Sequence, residues 1–364
     1  MSILNYLKIL IFYIFYGKVE KVISAKDNPD IKTIKVTLEE KYSYNIFEIK
    51  NAILYNASVH DCAIIFENKL VDEVSYQYRY NKKIEIINGP SLENISLKIG
   101  TPRIRKKIPA NIFSMLTGGG GKHNYHHWLY DVLPRIAILE NTKNFTTPDY
   151  YLVPSLKHPY QRQTLEKLNI PFSKILDSRK YKHLYCDKLI VTDHPYVFNN
   201  NPTQSILNIP QWIIYWLKVK FEDNELKSDK FSKKIYIDRV DSRNRRERFI
   251  INNKEVKECL KKLGFQTVVL SEHPFTTQVE IFKNSELIVG LHGSGLSNVL
   301  FSKPGTKVIE LQSLSAGDIY RNLSLQCNLD YKRISIASKN SNLTHQQGSI
   351  EVDLNELKKL IFDK

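Results

Sequence analysis

The chain has 364 residues, more than one hydrophobic core usually supports, so two domains are expected. Its hydrophobic content of 42% and charged content of 25% are those of a globular protein and exclude wholesale disorder. The formal net charge of +15 indicates a polyanionic partner: a phosphorylated small molecule, an anionic membrane face or a nucleic acid. Nucleic acid ranks below the other two, because no nucleic-acid motif with regular spacing accompanies the charge.

The first 24 residues form an apolar segment that is interrupted by Asn5 and Lys8. The run is too short to span a bilayer, and it lacks the basic start and small-residue cleavage site of a signal peptide. A signal peptide is therefore the least favoured interpretation. The two others are a helix packed on the protein and an amphipathic helix in the interface of an anionic membrane.

Residues 25–210 are predicted to form an acceptor-side domain with a β-rich start. Short runs of strand composition extend from Ile31 to Ile99 and end with "ISLKIG" at 95–100. The stretch "PRIRKKIPA" at 102–110 is predicted to be a basic joint bounded by prolines, and helices alternate with strands after it.

Residues 211–340 show the clearest alternation of strands with helices, which predicts βαβ units and a parallel, Rossmann-like sheet. Residues 341–364 are predicted to be a tail with a helix. Such sheets bind ligands at the carboxyl ends of their strands, so residues just after strands are the candidates for a site. The four cysteines are far apart and form no CxxC pair, which disfavours zinc and disulfides and favours the cytoplasm.

The string "GLHGSGLSN" at 290–298 follows a buried strand and leads into a predicted helix. Gly293, Ser294 and Gly295 would present backbone N–H groups to a phosphate, and His292 and Asn298 would add side-chain donors. The alternative is a tight turn with a structural histidine. The spacing excludes a dinucleotide fingerprint and a nucleophile elbow.

Two further features follow strands of the same half. Arg239 and Arg248 belong to an arginine-rich segment and are predicted to clamp a diphosphate, whereas Arg243, Arg245 and Arg246 are assigned to a solvated loop. Glu310, at the end of "KVIEL", is predicted to accept hydrogen bonds from ribose, with a solvated strand-end glutamate as the alternative.

The segment "NYHHWLYDVLPR" at 124–135 predicts a helix capped by Asn124 and kinked or restarted at Pro134. His127 and Asp131 are four residues apart, so they can pair, and such a pair can take a proton from a hydroxyl. A satisfied capping or core histidine is the alternative. A metal site is disfavoured because no third ligand is evident, and a phosphate loop is excluded by spacing.

Together these segments resemble glycosyltransferase family 61, over about Asn124–Leu311. The resemblance rests on "NYHHWLYDVLPR", the arginine of "YIDR", "RFIINNKEV", Gln278 in "TTQVEIF", "GLHGSGLSNVLF" and "KVIEL". The chain departs from the family pattern at Asn253, where a glutamate is common.

The resemblance implies a GT-B-like α/β architecture, two Rossmann-like domains with a β-rich N-terminal segment, and inverting transfer from a nucleotide sugar without metal or other cofactor. His127 or Asp131 would be the base, with Asn124 and Arg135 on the acceptor side. The expected setting is surface polysaccharide synthesis on a glycan or lipid-linked acceptor, in the cytoplasm or at the inner membrane face. The rival hypotheses are a different phosphate-ligand transferase and a non-catalytic scaffold of a polysaccharide assembly complex.

Overall fold

The structure is a computed structural model that describes residues 3–58, 61–81, 84–89, 94–116, 120–143, 145–198, 202–222, 230–240, 248–339 and 348–363. Its contacts divide the chain into two compact units, Met1–Ser205 and Ile206–Lys364, which are named the N-terminal unit and the C-terminal unit.

The N-terminal unit is built on one mixed sheet. Within the described residues this sheet has eleven strands: β1 (Val22–Ile23), β2 (Ile31–Leu38), β3 (Tyr42–Ser58), β4 (Asp61–Phe66), β5 (Lys69–Val71), β6 (Tyr76–Asn81), β7 (Ile84–Gly89), β8 (Lys106–Ser114), β9 (Tyr150–Val153), β10 (Ile175–Asp177) and β11 (His183–Thr192). The main path runs β1-β5-β4-β3-β11-β8-β9-β10, with β2 beside β3 and the β6–β7 hairpin beside β4.

The sheet changes character at β11. Strands β2, β3 and β4 pair antiparallel, and β11 is antiparallel to β3. On its other side β11 is parallel to β8, which is parallel to β9, and β9 is parallel to β10. The carboxyl ends of β8 and β11 therefore lie side by side, where a parallel sheet offers a ligand site.

Helices and turns connect these strands. They are α1 (Ile3–Tyr16), α2 (Ile95–Ile99), a 3₁₀ turn (Gly120–Lys122), α3 (Tyr125–His127), a π-helical turn (Trp128–Val132), α4 (Pro134–Glu140), α5 (Pro159–Lys167), a 3₁₀ turn (Phe172–Lys174) and α6 (Pro202–Ser205). The α/β class expected from the sequence is confirmed.

Two local predictions were wrong. The run "ISLKIG" is the helix α2 and not a strand, because Asn94 caps its first turn and Gly100 ends it with a positive φ of 64°. The basic joint is largely strand β8. Its Pro109 cannot donate a ladder hydrogen bond, and the pairing with β11 shifts register between Cys186 and Lys188, where a bulge accommodates the proline.

The C-terminal unit carries a parallel sheet with five strands in the described residues: β12 (Lys234–Ile237), β13 (Gln266–Val268), β14 (Leu287–Leu291), β15 (Lys307–Ser313) and β16 (Asp330–Ile336). The order β13-β12-β14-β15-β16 is that of a doubly wound sheet, as the alternating sequence pattern predicts. The order reverses between β12 and β14. Ligands of doubly wound sheets bind outside the carboxyl ends of the strands at such a reversal.

Helices flank this sheet and bury its apolar strands. They are α7 (Gln211–Phe221), α8 (Asn253–Lys262), a 3₁₀ turn (Leu270–Glu272), α9 (Phe275–Asn284), a 3₁₀ helix (Ser294–Phe301), α10 (Ile319–Gln326) and α11 (Leu354–Phe362). Val289 and Ile309 of the central strands pack against Val256 and Leu357 of α8 and α11. The helix predicted after "GLHG" is a 3₁₀ helix that begins at Ser294.

The helix α1 buries none of its residues. Its last turns are attached to the segment before β8: the hydroxyl of Tyr13 donates to the carbonyl of Lys98, and that of Tyr16 accepts from the N–H of Arg105. Within the described part of the chain, α1 and every other helix are too short or too polar to cross a membrane.

Candidate active site

The segment after β8 places the predicted histidine–aspartate pair on a distorted helix. The side chain of Asn124 accepts a hydrogen bond from the N–H of His126 at 2.9 Å, which confirms the predicted cap. The N–H of Leu133 donates to the carbonyl of Trp128, five residues back, and the helix restarts at Pro134, whose missing N–H is tolerated at a first helical position. The resulting π-helical turn holds Asp131. Such turns are frequent at functional sites.

The carboxylate of Asp131 is surrounded by three side chains, and these four residues are named the Asp131 cluster. Oδ2 lies 2.8 Å from Nδ1 of His127 and 3.8 Å from Nε2 of His194, and Oδ1 accepts from the hydroxyl of Tyr196 at 2.5 Å. The side chain of Asp131 is 6% exposed and that of His127 is 27% exposed. Solvent therefore reaches the histidine and not the carboxylate.

The pKa values of the residues in the Asp131 cluster are shifted in different directions. Burial raises the pKa of Asp131, but the charge and hydrogen bond of His127 and the contact with His194 outweigh it and hold this pKa well below its usual range. Burial lowers the pKa of His127, yet the charge and hydrogen bond of Asp131 raise it above its ordinary value. Burial dominates at His194 and lowers its pKa. Asp131 is thus a carboxylate and His194 a neutral imidazole at neutral pH.

The charge of Asp131 also fixes the tautomer of His127. A carboxylate only accepts hydrogen bonds, so Nδ1 of His127 carries the proton that is directed to Asp131. In the neutral ring Nε2 is then the unprotonated, basic nitrogen. The structure therefore brings His127 and Asp131 together and leaves Nε2 of His127 as the basic nitrogen, and the catalytic role of the pair stays a prediction.

His194 and Tyr196 were missed by the sequence prediction. Both follow β11 in "TDHPYVF", and the register that pairs Val191 with Ser114 sets the end of β11 beside the end of β8. The sequence does show polar residues directly after an apolar strand. It does not show that this strand pairs with β8, and only that pairing brings His194 and Tyr196 next to Asp131.

Arg135 is fully buried and holds the site together from behind. Its guanidinium donates to the backbone carbonyls of Asp131, Thr192 and Asp193, which ties α4 to the end of β11. The indole N–H of Trp128 donates to Thr164 of α5 at 2.9 Å and anchors the same turn on the other side. The acceptor contacts predicted for Asn124 and Arg135 stay predictions.

In the C-terminal unit, two of the predicted arginines converge on one carbonyl. Arg239, just after β12, and Arg248 both donate to the backbone oxygen of His292, the latter at 2.8 Å. A Cβ atom on Gly293 would lie 2.6 Å from Cζ of Arg239, so only glycine lets the guanidinium pack against this backbone. Ser294 follows at the start of the 3₁₀ helix and is partly exposed, as is Gly295.

The imidazole of His292 points into the protein. Its Nδ1 lies 2.5 Å from Oε1 of Glu310, whose Oε2 accepts from the hydroxyl of Tyr331 at 2.5 Å, and its ring packs edge-on against Tyr320. The side chains of His292 and Glu310 are at most 1% exposed. The phosphate contact predicted for His292 and the ribose contact predicted for Glu310 stay predictions. In this structure the pair fixes the turn whose carbonyl receives the arginines.

Asn298 is buried and has a similar supporting position. Its amide donates to Oε1 of Gln278 at 3.2 Å, and Gln278 donates in turn to the carbonyls of Leu270 and His273. These bonds tie the 3₁₀ helix to α9 and the turn before it. Two residues of the family-like motifs therefore contact each other directly.

A cavity of about 460 Å³ opens at the carboxyl ends of β12 and β14, where the strand order reverses. Its volume is within the range of small-molecule sites. Arg239 and Arg248 line it, and Lys257 lies 2.7 Å from Asp238 on its wall. Because Asp238 and Lys257 neutralise each other, Arg239 and Arg248 supply the positive charge among the described residues that line the cavity. Asn253, where the family pattern has glutamate, accepts from the hydroxyl of Tyr236 in the same wall.

Three predicted residues lie outside the described part of the chain: Arg243, Arg245 and Arg246. Within the described residues, no group of three or more histidine, cysteine, aspartate or glutamate side chains is arranged to hold a metal ion. Metal independence stays a prediction.

Comparison with known proteins agrees with these motifs. The family model described as Glycosyltransferase 61 matches residues 125–309, half of the chain. The chain is also similar to the EGF domain-specific O-linked N-acetylglucosamine transferase of Drosophila melanogaster, with 29% identity over 94 residues. That match covers 25% of this chain and 18% of the relative, so it spans about a fifth of the curated relative's length. On the strength of the family match, this chain belongs to glycosyltransferase family 61.

Proposed function

We propose that the protein transfers a sugar from a nucleotide-diphosphate donor to an acceptor hydroxyl, with inversion at the anomeric carbon and without a metal ion. Family membership and the name of the Drosophila relative support the reaction class. The observation that carries the proposal is the pair of arginines on the His292 carbonyl, at the strand-order reversal of a doubly wound sheet. In this proposal the C-terminal unit binds the donor and the N-terminal unit binds the acceptor, as the two domains of a GT-B architecture do.

The donor diphosphate binds in the cavity after β12 and β14 in this proposal. Arg239 and Arg248 pair with phosphate oxygens, and the backbone N–H groups of Ser294 and Gly295 add hydrogen bonds. The guanidinium groups of Arg239 and Arg248 are already held in place by the His292 carbonyl. Little reorganisation is therefore needed when negative charge develops on the leaving diphosphate. These residues take the place that a metal ion has in other transferases.

The acceptor is activated by His127. Its Nε2 takes the hydroxyl proton while the acceptor oxygen forms a bond to the anomeric carbon, and the bond from that carbon to the diphosphate breaks with its electrons leaving on the diphosphate. Asp131 stabilises the imidazolium that forms. Asp131 is the weaker candidate for the base, because its lowered pKa makes it a poor proton acceptor and both its oxygens are engaged.

The acceptor class in this proposal is a glycan or a lipid-linked glycan, in cytoplasmic synthesis of a surface polysaccharide such as a capsule or lipopolysaccharide. The net charge of +15 supports an anionic acceptor or contact with an anionic membrane face.

Incubation of the purified chain with a panel of nucleotide sugars tests the reaction, with release of the nucleoside diphosphate as readout. We expect release with at least one donor, and a loss of roughly 10²-fold or more in Arg239→Gln and in His127→Gln. Arg321→Gln, which removes an exposed arginine from α10, is the matched control and should keep full activity.

Two results would point to the rival functions. Turnover of ATP without turnover of any nucleotide sugar indicates a different phosphate-ligand transferase. If no donor is turned over and the wild-type chain, His127→Gln and Asp131→Asn restore polysaccharide synthesis equally in cells, the chain is a scaffold.

A further inference from the structure

The helix α1 exposes a continuous apolar surface that the fold does not use. Leu7 and Ile11 are each 50% exposed and Ile14 is 78% exposed. With Leu4 these side chains recur at the spacing of one helix face. Isolated exposed apolar residues are ordinary, but a contiguous patch of this kind marks a binding surface.

A strongly basic segment is fixed against the same helix. The residues 98–107 carry five basic and no acidic side chains. They are attached to α1 by the two tyrosine hydroxyl contacts and by the guanidinium of Arg105, which lies 4.2 Å from the ring centre of Tyr16. Ile104, between Arg103 and Arg105, is 79% exposed. An apolar side chain therefore projects from within the basic segment as well.

The charge in α1 and the segments beside it is mostly positive. Residues 3–21 and 98–107 together contain eight basic residues and a single acid, Glu20. The nearest acidic residue on the adjoining β4–β5 turn, Glu67, is paired with Lys69. Crowding by like charge extends past the segment, since burial and the charges of Arg103 and Lys122 lower the pKa of Lys182.

We infer that α1 and the segment 98–107 form a surface that docks on an anionic phospholipid membrane. The apolar face of α1 and Ile104 enter the boundary between headgroups and acyl chains, and the exposed lysines Lys98, Lys106 and Lys107 pair with lipid phosphates. The charge complementarity selects a membrane over an apolar protein partner. The inference rests on the proposed function only for its purpose, which is to hold the enzyme near a membrane-attached acceptor.

Flotation of the full chain with lipid vesicles tests the surface. We expect binding to vesicles of phosphatidylcholine with phosphatidylglycerol, weak binding to phosphatidylcholine alone, and release by salt. The double variant Leu7→Glu/Ile11→Glu should bind at least about tenfold more weakly. Leu325→Glu, at an equally exposed position on α10, is the control and should bind as the wild type does.

A second pair of variants tests the contribution of the basic residues to membrane binding. Lys106→Gln/Lys107→Gln should weaken binding about 25-fold, because each basic residue near an anionic surface strengthens binding about fivefold. Lys261→Gln/Lys262→Gln on α8 of the C-terminal unit makes the same charge change outside α1 and the segment 98–107 and should have little effect. Equal binding of the two double variants, or equal binding to neutral and anionic vesicles, would overturn the inference.

Other outcomes separate the remaining occupants and the proposed function. A dimer in light scattering that Leu7→Glu/Ile11→Glu dissociates, without vesicle binding by the wild type, would assign α1 to a second copy of the chain. Binding that resists both salt and alkaline extraction would show an inserted helix instead of a docked one. Nucleoside diphosphate release is measured on the same preparations: vesicle binding without release defeats the proposed function alone, and release without vesicle binding defeats this inference alone.

Discussion

Replacement of Asp131 by asparagine tests the assignment of His127 as the base. We expect the wild-type reaction to need the unprotonated ring, so activity should fall as the pH drops through the pKa of His127, which Asp131 raises above the ordinary 6.5. Asparagine removes the charge. Burial alone then acts on His127, so the acidic limb of the pH profile moves to lower pH, below that ordinary value.

The size of the rate loss follows from the hydrogen bonds of the cluster. Two donors face Asp131, the Nδ1–H of His127 and the hydroxyl of Tyr196, whereas asparagine offers a single oxygen. If its amide NH₂ faces His127, Nδ1 must accept, the proton moves to Nε2, and the base is lost. We expect kcat/KM at neutral pH to fall roughly 10²–10⁴-fold, the share that a general base contributes.

Tyr196→Phe is the companion variant. The acidic limb of its pH profile should move to higher pH, opposite to that of Asp131→Asn. Without the hydroxyl on Oδ1 the carboxylate is less stabilised, so it attracts the imidazolium more strongly and the pKa of His127 rises. The rate loss should stay below about tenfold, because the base and its tautomer are kept.

The assay is nucleoside diphosphate release, measured as kcat/KM across the range in which histidines titrate, about pH 5 to 8. Thermal unfolding of each variant across the same range identifies loss of fold. Folding lowers the pKa of Asp131, so the stability that it contributes is present above its ordinary pKa of 3.8 and is lost only as the pH falls below that value. The assay window therefore stays clear of acid unfolding from this group. An acidic limb that stays in place in Asp131→Asn would refute His127 as the base.

Three further predictions concern the donor side and the metal. Gly293→Ala should leave the fold intact but raise KM for the donor on the order of tenfold or more, because the new methyl displaces the guanidinium of Arg239; an unchanged KM in steady-state kinetics would contradict this packing. Glu310→Gln should destabilise the protein by about 1–3 kcal/mol in denaturant unfolding and weaken donor binding without moving the acidic limb, since Glu310 acts on the donor turn. Treatment with EDTA should not reduce the rate, and a loss that Mg²⁺ or Mn²⁺ restores would show that the arginines do not suffice.

The parallel sheet of the C-terminal unit was predictable from the sequence. Glycines between an apolar strand and a helical segment, and arginines after the preceding strand, predict a phosphate site wherever the sheet is parallel. The strand order places "YIDR" beside "GLHGSG", as that expectation requires. The sequence could not show which way the side chains point. His292 and Glu310 turn into the protein, and the backbone carbonyl of His292 is the group that accepts from the two arginines.

The N-terminal unit was less predictable because its site depends on long-range pairing. His127 and Asp131 are neighbours on one helical segment, so their spacing alone revealed the pair. Tyr196 reaches Asp131 across 65 positions, through the placement of β11 beside β8. The wrong assignments at 95–100 and 102–110 have local causes, a cap with a glycine stop in the first and a bulged strand containing proline in the second.

Both units contain a histidine whose Nδ1 is held by a carboxylate, and exposure separates their roles. His127 is 27% exposed, so its Nε2 can meet a substrate, and the carboxylate behind it acts by setting a pKa and a tautomer. His292 is 1% exposed, and in this structure the same pairing holds a turn in place. A change at the first carboxylate therefore shows in the pH dependence, and a change at the second shows in donor affinity and stability. Sequence spacing marks both histidines as candidates, but only the burial of each ring decides which of them can take a proton from a substrate.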